Sequence, residues 1–205
     1  MHPFIPDTPS QVRARHIMGR NFLGLEEVRR GYAIALPVDQ LAEIPFSDET
    51  LQACKDTHVL VAGAPLSVNE IRTIATSDFS NTDWYQREAF ANDKKVGTQW
   101  HLLRRSPVSE SCNKTYQEQT ALLTPTEGVP FACEITYMVI LYWRTHRERL
   151  LQGVYVNCQD LTSVGERANK LVCVGNLSAI NLSVSSGNHR RSYLGLASSV
   201  LPDKS

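Results

Sequence analysis

The chain has 205 residues, with 21 basic and 21 acidic side chains that cancel to a net charge of zero; this excludes the electrostatic footprint of a nucleic-acid binder and argues against nucleic acid as a partner. At 42% hydrophobic residues it has the apolar material for a real core, and residues 1–205 read as one domain. The most apolar window, ITYMVILYW at 135–143, is about half a bilayer span and runs straight into RTHRER, so a membrane is not expected as a partner.

Residues 1–20 hold three prolines within nine residues and no clear period, which predicts an extended arm able to wrap a sister subunit in a homo-oligomer. The opening thirty residues lack the uninterrupted apolar run of a secretory signal. An odd set of five cysteines, at 54, 112, 133, 158 and 173, fits reduced thiols and a cytoplasmic location.

From Leu25, LEEVRRGY has a short helical pattern that Gly31 can end. FSDETLQACKD offers Ser47 as N-cap with Asp48 and Glu49 in the first turn, where they suit the helix dipole. HVLVAG at 58–63 reads as a short buried strand, and SVNEIRTIA carries a capping box of Ser67 and Glu70. Residues 21–80 are therefore expected as a helix-strand-helix part. The next stretch, 76–96, is polar and punctuated, with one short helix expected around Trp84 to Phe90, capped by Thr82 or Asp83; it is a candidate boundary or long functional loop.

TQWHLLRR at 98–105 is strand-like, and TYQEQTALL is helical with Thr115 and Glu118 at capping-box spacing. In VPFACEITYMVILYWRTH, Pro130 suits the first helical turn, and Phe131, Ile135, Met138, Val139 and Tyr142 recur at three and four, which predicts a core helix. After it the rhythm becomes one of two. VYVNC, LVCVG, AINLSVS and YLGLAS give at least four short strands. Helices early and strands late predict an α+β class with an antiparallel C-terminal sheet inside the region 98–200.

Chemistry-bearing candidates are sparse. In CKDTH, Cys54 and His58 stand four apart around Asp56, the spacing at which one helix face holds a nucleophilic pair or half a zinc site. Against this, HVLVAG already reads as strand and no C-x-x-C occurs. A cysteine-dependent hydrolase or transferase using Cys54 with His58, or with His101 brought near by folding, is the enzymatic alternative. VAGAPLS lacks both phosphate-loop fingerprints. The pairs Arg29–Arg30, Arg104–Arg105 and Arg190–Arg191 are balanced by acidic residues. Trp143 ends an apolar helix and reads as core, while Trp84 and Trp100 stay open as stacking residues. Neither a cofactor nor a metal is expected.

The stretch NLSAINLSVSSGNHRRSYLGLAS at 176–198 has a different character. If Ile180, Leu182 and Val184 face inward, Ala179, Asn181, Ser183 and Ser185 line the outer face and SGNHRRSY follows as a turn. A solvated hairpin is one reading. The other is a recognition surface: Asn and Ser give adaptable hydrogen bonds, while His189, Arg190 and Tyr193 give larger contacts.

TPTEGVPFACEITY, VYVNC, LVCVGNLSAINLSV and RRSYLGLAS together resemble the C-type-lectin-like fold, in its bacterial formylglycine-generating-enzyme-like branch, over residues 98–199. The Gly-Gly-Ser-Trp motif of that branch is missing and no paired active-site cysteines precede the final strand, so its oxidase activity does not carry over. The resemblance instead implies a non-enzymatic bacterial binding protein. Its polar C-terminal surface would meet a protein or glycan ligand, as in targets of diversity-generating retroelements. The residues placed like that surface are Asn176, Ser178, Asn181, Ser183, Asn188, His189, Arg190, Arg191 and Tyr193.

Overall fold

A computed structural model describes residues 5–165, 168–176 and 181–203. Helix α1, Pro9–Met18, occupies half of the stretch expected as an extended arm. Its start lies in Thr8-Pro9-Ser10-Gln11: Thr8 caps the Gln11 amide, Gln11 returns to the Thr8 amide, and Pro9 sits where no helical amide is needed. Gln11 is buried and also donates to the Leu41 carbonyl at 2.8 Å, and Arg15 pairs with Asp7 and Glu27 at 2.5 and 2.8 Å. These bonds clamp the segment onto its own chain rather than leaving it free to reach a neighbour.

Strand β1 (Phe22–Leu23) leads into helix α2 (Leu25–Tyr32). Gly31 lies inside α2 instead of ending it. A Cβ there would collide with Leu141 Cδ1, so the glycine permits close helix contact, and the chain leaves the helix at Ala33 in the left-handed region with φ 56°. Helix α3 (Asp48–Cys54), capped by Ser47, strand β2 (His58–Ala62) and helix α4 (Val68–Ile74), with its Ser67–Glu70 box, fall where the pattern puts them. In 76–96 the helix is later and shorter than expected: a turn at 84–87 precedes α5 (Ala89–Asn92). Phe79, Tyr85, Phe90 and Val96 from this stretch are buried in the main apolar cluster, so it is neither a boundary nor a free loop.

Strand β3 (Trp100–Arg104), helix α6 (Tyr116–Thr120) and strand β4 (Glu127–Gly128) follow. Helix α7 (Ala132–His146) begins after Phe131 as N-cap, which leaves Pro130 just outside it. Every residue from Ile135 to Tyr142 is buried, and a helix apolar around its circumference has to be covered on all sides. Helices α2 and α4 pack on it, as do strands β5 (Val154–Leu161) and β6 (Leu171–Asn176). Its buried phenols are satisfied, as burial demands: Tyr137 donates to the Ala62 carbonyl at 2.9 Å and Tyr142 to Asn21 Oδ1 at 3.1 Å, while Tyr32 of α2 donates to the Tyr137 carbonyl at 2.6 Å.

With β7 (Ser183–Ser186), β8 (Leu194–Leu196) and β9 (Ser199–Val200), the strands make a five-stranded sheet in the order β1-β2-β3-β9-β4 and a four-stranded sheet in the order β7-β6-β5-β8. The class is α+β. The C-terminal sheet is mixed, however, not wholly antiparallel. Strands β5, β6 and β7 form an antiparallel meander, but β8 runs parallel to β5, pairing Tyr155 with Leu194 and Asn157 with Leu196. The chain leaves β7 at one edge and must return along the sheet to reach the opposite edge. Residues 187–193 are therefore a crossover over the sheet, not a hairpin turn. From Leu194 to Val200 the chain then passes directly from the smaller sheet into the larger.

Candidate functional site

Strand alternation divides the four-stranded sheet into two faces. Val156, Cys158, Val172, Val174 and Val184 face α7 and are buried. Asn176 shares that side, 4% exposed, in a small gap with Val139, Ile140 and Leu182; it is not on the outer surface the sequence suggested. The opposite face carries Tyr155, Cys173, Ser183, Ser185 and Leu194. Over it runs the 187–193 crossover, and between the two lies a cleft of about 270 Å³ lined by Tyr155, Cys173, Ser185, His189, Arg191 and Tyr193, among others.

The crossover is fastened along its length. Gly187 donates its amide to the Leu171 carbonyl at 3.0 Å, and Asn188 accepts the Leu171 amide at 2.8 Å and donates to the Asn169 carbonyl at 3.2 Å. Arg190 pairs with Glu118 at 2.9 Å. The Arg191 carbonyl accepts from the amides of Asn113 and Leu194 at 2.8 and 3.1 Å, and the Tyr193 carbonyl accepts from Tyr155 at 2.7 Å. The side chains of Tyr155, His189, Arg191 and Tyr193 are left with no hydrogen bond or ion pair among the described residues. The crossover is thus rigid in its backbone and unspent in these side chains.

The edge of β7 is covered as well. Leu182 donates to the Asp78 carbonyl at 2.9 Å, Ser80 to the Leu182 carbonyl at 2.8 Å, and the Trp84 indole to the Val184 carbonyl at 3.0 Å. Asn181 donates its amide to the Phe79 carbonyl at 3.0 Å. The residues expected as a surface accordingly separate. His189, Arg191 and Tyr193 meet at the cleft, and Ser183 lies half-buried on the same face. Asn176, Asn181, Asn188 and Arg190 have structural employment. Ser178, like Ala179 and Ile180, lies outside the described residues. Tyr155 and Cys173 join the cleft without having been singled out, although strand alternation in VYVNC separates Tyr155 from Val154, Val156 and Cys158.

Cys173 supplies no nucleophile to this cleft. Burial pushes its thiol up to about 12, against the opposing hydrogen bonds from Ser185, so the thiolate that reactivity needs is absent near neutrality.

Cys54 and His58 do not share a helix face, since α3 ends at Cys54 and His58 opens β2. His58 Nδ1 lies 2.8 Å from Thr57 Oγ1, and Nε2 is buried with no hydrogen-bond partner. Burial, reinforced by Arg104, lowers His58 to about 4. Burial, reinforced by Glu127, raises the Cys54 thiol. Both shifts oppose the thiolate–imidazolium state that activates a cysteine. His101 is committed elsewhere, with Nδ1 2.9 Å from Glu134 Oε1 and Nε2 3.1 Å from the Gly97 carbonyl.

Most of the remaining candidates have local partners; Arg104 is the exception, its buried Nε having no hydrogen-bond partner among the described residues. Arg29 and Arg30 both bind Glu26, whose carboxyl the Arg29 hydrogen bond and then Arg30 pull down against its burial. Arg105 pairs with Glu148 at 2.6 Å. Trp100 donates to the Leu41 carbonyl and Trp143 to Asp78 Oδ1, at 3.0 and 3.1 Å. All five cysteines are free thiols. Among the described residues, no group of three or more His, Cys, Asp or Glu side chains is arranged to hold a metal ion, and no helix is long and apolar enough to cross a membrane. Comparison with protein families, with curated proteins and with solved structures finds nothing that matches this chain.

Proposed function

We propose that the protein is a non-enzymatic binding module that takes part of a protein or glycan ligand into the cleft beneath residues 187–193. One observation carries the reading: a crossover tied down by the backbone of Gly187, Arg191 and Tyr193 and by the Asn188 side chain turns His189, Arg191 and Tyr193, with Tyr155 opposite, toward one cavity, while those side chains have no hydrogen bond or ion pair among the described residues. A site fixed before the ligand arrives avoids part of the ordering cost of binding. Aromatic and polar groups gathered in one concavity are the usual composition of such sites.

The test is to probe glycan and peptide arrays with the wild-type protein and with the double variant Arg191→Ala, Tyr193→Ala. Both side chains are exposed and have no hydrogen bond or ion pair among the described residues, so thermal stability should stay within about 0.5 kcal/mol per substitution. Support is a discrete set of array features retained by the wild type and lost by the folded double variant. Identical patterns from the two proteins contradict the reading.

A further inference from the structure

The cleft's chemistry narrows its ligand. Its lining includes Arg191 and His189 and no acidic side chain. The nearby carboxylate of Glu118 is already paired with Arg190. Arg191 therefore presents an uncompensated guanidinium, whose planar fork suits a carboxylate or phosphate bidentately. Tyr155 enters from the sheet and Tyr193 from the end of the crossover, each an apolar ring with a polar tip. Ser185, beside them, adds a hydroxyl that both donates and accepts.

The cleft, about 270 Å³, lies just below the usual size of pockets for drug-sized ligands, which suits one ring-sized unit rather than a length of polymer. A bare anion would use Arg191 and leave the tyrosines idle. A neutral sugar would use the tyrosines and bury Arg191 without a partner, at a cost. An aspartate or glutamate side chain would meet the charge but has no face to lay against a ring.

Resting on the cleft being the binding site, we infer that its ligand is a saccharide unit bearing one anionic group, with the anion on Arg191 and the apolar face of the ring against Tyr155 or Tyr193. Carboxylate and phosphate share this chemistry, and the test separates them.

Calorimetric titrations of the full chain with glucuronic acid, glucose 6-phosphate, glucose, acetate, inorganic phosphate and phosphotyrosine decide the matter, each repeated on Arg191→Gln and Tyr193→Ala. The expected result is that glucuronic acid or glucose 6-phosphate binds at least about tenfold tighter than glucose and than the matching bare anion. Whichever of the two binds names the anion. Arg191→Gln should bring the acidic sugar down to the level of glucose, and Tyr193→Ala should weaken the acidic sugar while leaving bare-anion binding unchanged.

Glucose binding as tightly as the acids would overturn the charge assignment, and acetate or phosphate matching the sugars would reduce the site to an anion site. Phosphotyrosine binding in place of both acidic sugars would overturn the saccharide assignment. In each of those cases, sensitivity to the two variants would show the cleft itself still to be the site. Silence from all six ligands would overturn the saccharide inference and leave the array comparison to judge the cleft.

Discussion

Acidification should destabilise this protein through His58. The ring is 4% exposed and its Nε2 has no partner, so a proton on it would be a buried, poorly compensated charge. Burial and Arg104 hold it neutral down to about 4, against an ordinary value of 6.5. At neutral pH the ring is uncharged both folded and unfolded and contributes nothing to the difference. As the pH falls below about 6.5, the unfolded chain takes up a proton that the native state refuses, so stability is lost steadily until about 4, where the native ring also titrates. The full window is worth about 3 kcal/mol, and the part between pH 7 and pH 5 about 2 kcal/mol.

His146, lowered by its own burial and by Arg20, adds loss of the same sign. The carboxyls of Glu26, Glu70, Glu118 and Asp203, all held down by hydrogen bonds, lose their contributions at lower pH. Asp160, raised by burial, works in the opposite direction. Comparison with a His58 variant therefore separates the ring's share from that of the carboxyls. Urea denaturation at about pH 7 and about pH 5 should show this loss in the wild type, and His58→Gln should remove most of it whatever its effect at neutral pH. Equal wild-type stability at the two pH values, or an unchanged difference in His58→Gln, would refute the placement of a neutral imidazole in this core.

The same environment makes Cys54 slow to react: near neutral pH, iodoacetamide should label it at well below the rate of a free thiol until denaturant opens the fold, and native-state labelling at the free-thiol rate would revive the cysteine-enzyme alternative. Asn188→Ala removes two hydrogen bonds that fasten the crossover and should cost about 1–2 kcal/mol in thermal or urea denaturation, whereas Arg191→Ala should change stability by less than about 0.5 kcal/mol. Equal costs for the two would contradict the division of this segment into fastening and ligand-facing side chains.

Much of the fold can be read from local chemistry. Ser47, the Ser67–Glu70 box and the Thr115–Glu118 box mark helix starts because the orphan amides of a first turn have to find acceptors nearby. The unbroken apolar run of α7 requires a central helix. What local chemistry conceals is of two kinds. The prolines at 3, 6 and 9 suggest an extended arm, yet Pro9 occupies the helical position that tolerates it. Gly31 reads as a stop, while its actual service is to let Leu141 approach, a contact set by a helix more than a hundred residues away.

The site is harder to read, because polarity looks alike whether it is spent inside the protein or kept for a ligand. The side chains of Asn181 and Asn188 hold backbone groups of their own chain, whereas those of Arg191 and Tyr193, a few residues on, hold nothing among the described residues. The crossover that brings Tyr155 opposite Tyr193 depends on strand order, which the sequence between Ser186 and Leu194 does not encode by itself.

Amide chemical-shift mapping of the labelled protein with the strongest array ligand tests the account most directly, because it locates the contact. The shifts should concentrate on residues 185–194 and on Tyr155 and Cys173 of the sheet beneath, and Arg191→Ala should abolish them. Shifts centred on another surface, such as the depression by Asp48, Glu49 and Gln52 of α3, with the 185–194 amides unmoved, would contradict it.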